Sequence, residues 1–268
     1  MDSMTQPDLS LALSRLRQAA PLVHNITNQV VANVTANALL AIGASPAMVL
    51  AEQEVGEFVR LTAALVINLG TLTAPQRDAM LVATAAAGEA GVPWIMDPVA
   101  AGATAFRKDT ALQLLARGPR VVRGNASEIM ALAGQAGGGK GVDSAHRSDA
   151  AREAARQLAR QSGAVVAVTG ATDYVTDGTA MLAIANGHPM LTRVTGTGCT
   201  ATALIGAFLG AGLDGMQAAV AGLAVLGVAA EQAAPLASGP GSFQVALLDR
   251  LYGLEGAELA GRARISPV

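Results

Sequence analysis

The sequence predicts an α/β fold in which a mostly parallel central sheet carries helices on both faces and ends in an antiparallel meander near residues 174–194. Short apolar runs alternate with longer helical ones as far as Thr169, the spacing of strands joined by helical crossovers. Polar residues close those runs: Asn68, Asp97, Arg123 and Thr169 each stand where a predicted strand stops, and ligands of open parallel sheets gather at such ends. Beyond Thr169 the pattern changes, because Asp177-Gly178 and Asn186-Gly187 are hairpin turn pairs flanking residues 180–185.

In chain order, an amphipathic helix is predicted over residues 9–19, followed by a stretch at 21–28 that is polar at its centre and ends on Asn28, a good helix cap. A helix over 29–42 follows, then a short strand at 47–50 and a fuller apolar one at 64–69. Thr73 and Pro75 mark the start of a helix reaching about residue 89. A buried strand at 92–96, a helix at 104–117, a strand at 120–122 and a helix at 126–133 continue the alternation. Residues 134–144 read as a flexible glycine-rich loop, 148–161 as a polar-faced helix and 164–169 as the last parallel strand. After the meander come two apolar helical runs and a final helix near 243–252.

Bulk properties exclude several functions. A chain of 268 residues fits one α/β domain, here residues 1–268. With 51% hydrophobic and 14% charged residues and a net charge of −2, nothing draws it electrostatically to nucleic acid or to an anionic membrane. So little charge to cover a monomer's surface points to a homo-oligomer. One cysteine rules out an internal disulfide, and His24, His146 and His188 lack zinc-ligand spacing. The N-terminus places Asp2 and Asp8 before Arg15 and Arg17, the reverse of a signal peptide, so a cytoplasmic location is expected. The apolar region 201–230 is cut by Asp214-Gly215 into two runs, each shorter than the about 20 residues a bilayer span needs, and reads as core helices.

The chemistry centres on Val194-Thr195-Gly196-Thr197-Gly198-Cys199-Thr200, a glycine-rich turn opening into an apolar helical run. Glycines let the backbone approach a ligand, and the helix start aims its amides at the same point, which makes an anion site. Cys199 sits where the helix dipole is expected to lower a thiol pKa. Gly196 to Ala201 matches a dinucleotide fingerprint, but Asp214, at the acidic position, joins two helical runs with no strand between them. Gly134, Gly139 and Lys140 nearly match a Walker loop, yet Gly141 replaces the metal-binding hydroxyl and a helix precedes them. A third reading joins the Thr195 loop to Asp97, Asn125 and Glu128. Two carboxylates at neighbouring strand ends can hold magnesium through its waters, Arg123 adds charge for phosphates and Thr169 a hydroxyl.

These blocks resemble the hydroxyethylthiazole kinases of the ribokinase-like fold. The resemblance runs through His24-Asn25-Ile26-Thr27-Asn28, Asn68-Leu69-Gly70-Thr71-Leu72, Asp97-Pro98-Val99, Arg123 to Ile129, Val168 to Gly178, the Thr195 loop and Gly239-Pro240-Gly241-Ser242-Phe243. It implies ATP- and Mg2+-dependent phosphorylation of the primary alcohol of 4-methyl-5-(2-hydroxyethyl)thiazole, in thiamine biosynthesis or salvage. It also implies a homotrimer with active sites at subunit interfaces. Carried over by motif, Arg123, Thr169 and Gly198 contact ATP, and Asp97 and Glu128 serve magnesium. Met48, Gly70 and Gly196 border the thiazole, and Asn25 reaches it from the neighbouring subunit. Ala100-Ala101 depart from the pattern, where more glycine is expected after the Asp-Pro-Val turn. Most ribokinase-like kinases place an aspartate base where Cys199 stands, so either a thiolate takes the substrate's proton or a thiol merely hydrogen-bonds it. Two rivals remain open: a kinase for another heterocyclic alcohol such as pyridoxal, separated by a substrate panel, and a nucleotide-binding sensor, separated by ATP binding without product.

Overall fold

A computed structural model describes residues 7–134 and 144–268. The chain runs α1 (Leu9–Ala19), β1 (Leu22–Ile26), α2 (Ala32–Ile42), β2 (Ser45–Ala47), α3 (Glu52–Phe58), β3 (Ala64–Asn68), α4 (Ala74–Ala90), β4 (Trp94–Asp97) and α5 (Ala105–Leu115). It continues with β5 (Val121–Asn125), α6 (Ala126–Leu132), α7 (Ser144–Ser162), β6 (Val165–Thr169), β7 (Asp173–Thr176) and β8 (Met181–Ile184). Last come α8 (Thr197–Gly210), α9 (Gly215–Ala233), α10 (Pro240–Gly253), α11 (Gly256–Arg262) and β9 (Ile265–Pro267).

Among the described residues the strands form one nine-stranded sheet in the order β2-β1-β3-β4-β5-β6-β7-β8-β9. The run from β2 to β6 is parallel, and β7, β8 and β9 are antiparallel additions, as the change of pattern after Thr169 predicts. Alternate residues serve opposite faces: on β3, Ala64 and Val66 join a core with α1, α2 and α8 to α11, while Leu65 and Ile67 join one with α3 to α7. The closest seat is that of α8. A methyl on Gly206 would fall 2.6 Å from the Val66 side chain, and one on Gly222 of α9 would fall 2.6 Å from Ile205. Both glycines let helix backbone lie directly on its neighbour.

Several expectations are corrected. Residues 21–28 are no simple capping stretch: β1 lies there, paired to both β2 and β3, and its buried His24 and Asn25 hide the apolar signature of an inner strand. The strand expected at 47–50 forms at Ser45–Ala47, and α3 follows where no helix is expected. The meander's last turn does not close a hairpin. Asn186 instead donates to the Arg262 carbonyl at 3.0 Å and accepts from the Arg264 N–H at 2.7 Å, tying the chain to the C-terminal segment, so β8 pairs with β9. Residues Pro189–Arg193 then form a 3-10 turn. Length does not exclude a bilayer span in the second apolar run, because the helical stretch Gly215–Leu236 has 22 residues; 72% of its apolar window is buried within the fold. Of the loop at 134–144 and the near-Walker match, residues 135–143, with Gly139 and Lys140, lie outside the described residues.

Candidate active site

The glycine-rich turn sits at the carboxyl ends of the parallel strands. Gly196, at φ +84°, caps α8 in a left-handed conformation, and no side chain caps the helix. The first-turn amides of such an end have no partner inside the helix and face outward. A methyl on Gly196 would fall 2.7 Å from Val31 Cγ1, and one on Gly198 would fall 2.7 Å from Arg123 Nη1, so the guanidinium lies almost on the helix backbone. Arg123, from β5, also donates to the Thr169 hydroxyl on β6. Beside them opens a cavity of about 580 Å³, bordered by Arg123, Thr169 and Gly198 and walled on the α9 side by Leu223 and Leu226. Asp173 shares this wall and accepts from the Gly170 N–H at 2.9 Å. Burial pushes its carboxyl up to about 6, against the pull of the Gly170 bond and Arg123.

Asp97, ending β4, is wholly buried. Its Oδ2 accepts from Asn68 Nδ2 and from the Thr202 hydroxyl, both at 2.8 Å, and lies 3.7 Å from Arg123 Nη1. Among the described residues its Oδ1 has no hydrogen-bond partner. Burial raises its pKa, Arg123 opposes that shift and the Glu128 charge adds to it. Glu128 braces two loops: Oε2 accepts from the Asn125 N–H at 2.8 Å, completing a capping box on α6, and Oε1 from the Ala100 N–H at 2.9 Å. Ala100 stands at φ +57°, so the alanine found where glycine is expected is left-handed, and Glu128 holds its amide. Among the described residues no three His, Cys, Asp or Glu side chains converge in a metal-binding group.

Cys199 departs from expectation. Its thiol is pushed up to about 11, first by burial and then by the Asp97 charge, which together outweigh Asn68, Arg123 and Asn28. Asn68 Nδ2 lies 3.2 Å from the sulfur and Asn28 Nδ2 3.7 Å. A helix start alone predicts an acidic thiol; enclosure beside a carboxylate makes a neutral one at physiological pH.

The structure therefore gathers Asp97, Glu128, Arg123, Thr169, Gly198 and Cys199 around one crevice. Gly196 packs against Val31, and Gly70 against Asn28, where a methyl would fall 2.5 Å from Nδ2. Met48 is half-buried beyond β2, next to Val49, whose carbonyl lies 2.9 Å from His24 Nε2. Asn25, expected to reach a neighbouring subunit, is instead wholly buried in its own chain on β1, donating to the Val23 carbonyl at 2.9 Å, with no partner for Oδ1 among the described residues. In the sequence Asn68 reads as a strand end and Asn28 as a cap, neither as a site residue, and neither Thr202 nor Asp173 is singled out for the site. A signal existed for Thr202, three residues past Cys199 on the same helix face.

Comparison with known proteins shows the family. The model of the hydroxyethylthiazole kinase family matches residues 13–257. The chain is similar to hydroxyethylthiazole kinase of Granulibacter bethesdensis, 58% identical over 270 residues, covering 97% of this chain and 98% of that one. The corresponding protein of Moorella thermoacetica is 52% identical over 252 residues, covering 94% of each chain. The solved hydroxyethylthiazole kinase structure from Pyrococcus horikoshii OT3 superposes with a TM-score of 0.90 at 46% identity, covering 97% of this chain and 98% of that chain. A Staphylococcus aureus pyridoxal kinase, with a TM-score of 0.57 at 16% identity over 76% of this chain and 84% of its own, shares the fold alone. By family match, identity and structure together, this chain belongs to the hydroxyethylthiazole kinase family.

Proposed function

We propose that this protein transfers the γ-phosphoryl group of ATP to the primary hydroxyl of 4-methyl-5-(2-hydroxyethyl)thiazole, in thiamine biosynthesis or salvage. The family supports the activity, and one observation carries the mechanism: the uncapped start of α8, with Arg123 laid against Gly198, faces a cavity at the strand ends. Phosphoryl transfer passes through a loose transition state that needs positioning and charge stabilisation more than covalent help. The α8 amides and Arg123 supply that stabilisation where charge develops on the transferring group. Thr169 and Gly198 border the phosphates beside Arg123, while Leu223 and Leu226 give the base an apolar wall. Gly196, Gly70 and Met48 line the acceptor side.

Asp97 and Glu128 suit a magnesium ion held largely through its own waters. Asp97 presents a buried oxygen without a partner among the described residues, and its pKa is raised first by burial and then by the Glu128 charge, which brings the two carboxylates into one site. Bound there, the ion would neutralise phosphate charge. Cys199 acts as a neutral thiol beside the acceptor hydroxyl, orienting it for attack.

The same reading makes the protein one domain, residues 1–268, and a cytoplasmic homotrimer with interfacial active sites. Val30, Leu40, Leu50 and Leu61 support an interface, being 61%, 58%, 40% and 71% exposed on the elements around β1 and β2. Asn25, 0% exposed within its own protomer, has no surface to offer a neighbouring subunit, so this reading drops the expected contribution of Asn25 to a neighbour's site. Light scattering coupled to gel filtration tests the trimer; a monomer at micromolar concentration refutes it. Mass spectrometry of the thiazole incubated with ATP and Mg2+ tests the activity. The thiazole phosphate is expected, and its absence, with pyridoxal phosphorylated instead, overturns the substrate assignment.

A further inference from the structure

The acceptor side of the crevice contains a side chain whose four hydrogen-bonding positions are all used. Asn68, 1% exposed at the end of β3, accepts at Oδ1 from Asn28 Nδ2 at 2.8 Å and from the Gly70 N–H at 2.9 Å. Its Nδ2 donates to Asp97 Oδ2 at 2.8 Å and to Cys199 Sγ at 3.2 Å. A side-chain amide offers two donor hydrogens and two acceptor lone pairs, so nothing is left over.

The orientation of this amide follows from its neighbours. The Gly70 N–H can only donate, so the group facing it must be the oxygen, and Nδ2 is left to face the carboxylate and the sulfur. Asn28 is fixed the same way: its Oδ1 accepts from the Val30 and Val31 N–H groups at 3.0 and 3.2 Å at the entry to α2, which turns its Nδ2 toward Asn68 and Cys199. Backbone amides therefore set the direction of both side chains. Two N–H donors converge on one sulfur, and one of them belongs to the residue that also holds Asp97.

We infer that Asn68 is a positioning residue for phosphoryl transfer, which locks Asp97 and Cys199 into one hydrogen-bonded unit and fixes the direction of the thiol toward the acceptor hydroxyl, with Asn28 orienting Asn68 in turn. The inference rests on the proposed kinase reaction. It goes beyond any role read from Asp97 or Cys199 alone, because Asn68 acts only through them. A purely packing residue at the same place would be replaceable by any side chain of equal shape.

The isosteric variant Asn68→Asp tests this, since an aspartate there, protonated or not, cannot donate to both partners. Steady-state kinetics on the thiazole should show kcat lowered by about 10–100-fold with KM for ATP changed less than about 2-fold, the loss of an interaction made in the transition state. In a Cys199→Ala background the same substitution should cost markedly less, because residues in one network are not additive. Asn28→Ala, whose loss leaves Asn68 with one fixing donor, should lower kcat in the same direction by a smaller factor and serves if Asn68→Asp fails to fold. Iodoacetamide labelling of Cys199, the chain's sole cysteine, needs no substrate. Removing the N–H donor to the sulfur should slow labelling several-fold at fixed pH, since hydrogen bonds to the sulfur favour the reactive thiolate. Wild-type kcat and labelling rate in Asn68→Asp, or an equal loss with and without Cys199, overturns the inference. If the wild-type protein forms no thiazole phosphate while the labelling difference holds, the kinase reading falls and the hydrogen-bonded unit stands.

Discussion

The two halves of the crevice are built on opposite plans. On the side of β5, β6 and α9 the chain leaves a cavity of about 580 Å³ with leucine walls and a few charged groups at its edge. On the side of β1, β3 and β4 it fills the space with its own polar side chains, so that Asn28, Asn68, Asp97, Thr202 and Cys199 are joined by hydrogen bonds. A hollow binds whatever matches its shape and tolerates modest change at its walls. A saturated network fixes atoms and tolerates little, because each removed group leaves a buried partner unsatisfied. Substitutions on the hollow side should therefore speak through KM for ATP, and those on the filled side through kcat.

The largest effect is expected from Asp97→Asn, which keeps the shape of the network and removes its charge: kcat on the thiazole should fall by about 10²–10³-fold, the scale of losing a preorganised electrostatic group. An equal rise in KM for ATP would break the division between the halves. Next, Gly198→Ala places a methyl against the Arg123 guanidinium and displaces it. KM for ATP should rise about 10-fold, one charge-assisted contact's worth, and kcat should fall with it because Arg123 also stabilises the transferring group; a fall in kcat with KM for ATP unchanged would break the division. In the cavity wall, Asp173→Asn keeps the oxygen that accepts from Gly170 and removes a charge that is costly when buried. The folded carboxyl titrates at about 6 against an ordinary 3.8, so its stability contribution is complete below that lower value and is lost as pH rises through the higher one. Thermal melts should show the variant equal to wild type near pH 4 and more stable by several degrees above pH 7; a constant difference across that range would remove the buried charge from the account. The smallest effect belongs to Cys199→Ser. A neutral thiol that only orients a hydroxyl is replaced by a hydroxyl at a cost of less than about 10-fold in kcat. A larger loss, with activity restored in Cys199→Asp, would return proton abstraction to this position.

Legibility in the sequence followed the range of the forces involved. β3, β4 and β6 announced themselves because their neighbours on both sides are apolar and the signal is local. β1 did not, since His24 and Asn25 are buried polar residues whose partners lie elsewhere in the fold. β9 is three residues long and exists because Asn186 fastens the segment before it. In the site, Asp97, Arg123 and Thr169 could be read from their strand-end positions, which parallel topology brings to one rim. Asn68 stands at the same rim, but its assignment needs the sulfur of a residue 131 positions away. The thiol of Cys199 differs from its sequence expectation for the same reason: the helix start that lowers a thiol pKa is local and visible, whereas the burial and the Asp97 charge that raise it come from other segments.

The seat of α8 on β3 carries a consequence for how the protein can vary. Gly206 lies eight residues beyond Gly198, about 12 Å along the helix at 1.5 Å per residue, and touches no ligand. Its missing side chain nonetheless sets the height of α8 above Val66, and through a rigid helix the place where the first turn, at Gly198, lies against Arg123. A scan of every substitution scored by growth on the thiazole should thus find Gly206 nearly as intolerant as Gly198. The geometry of catalysis is written partly into a residue whose only task is to take up no room.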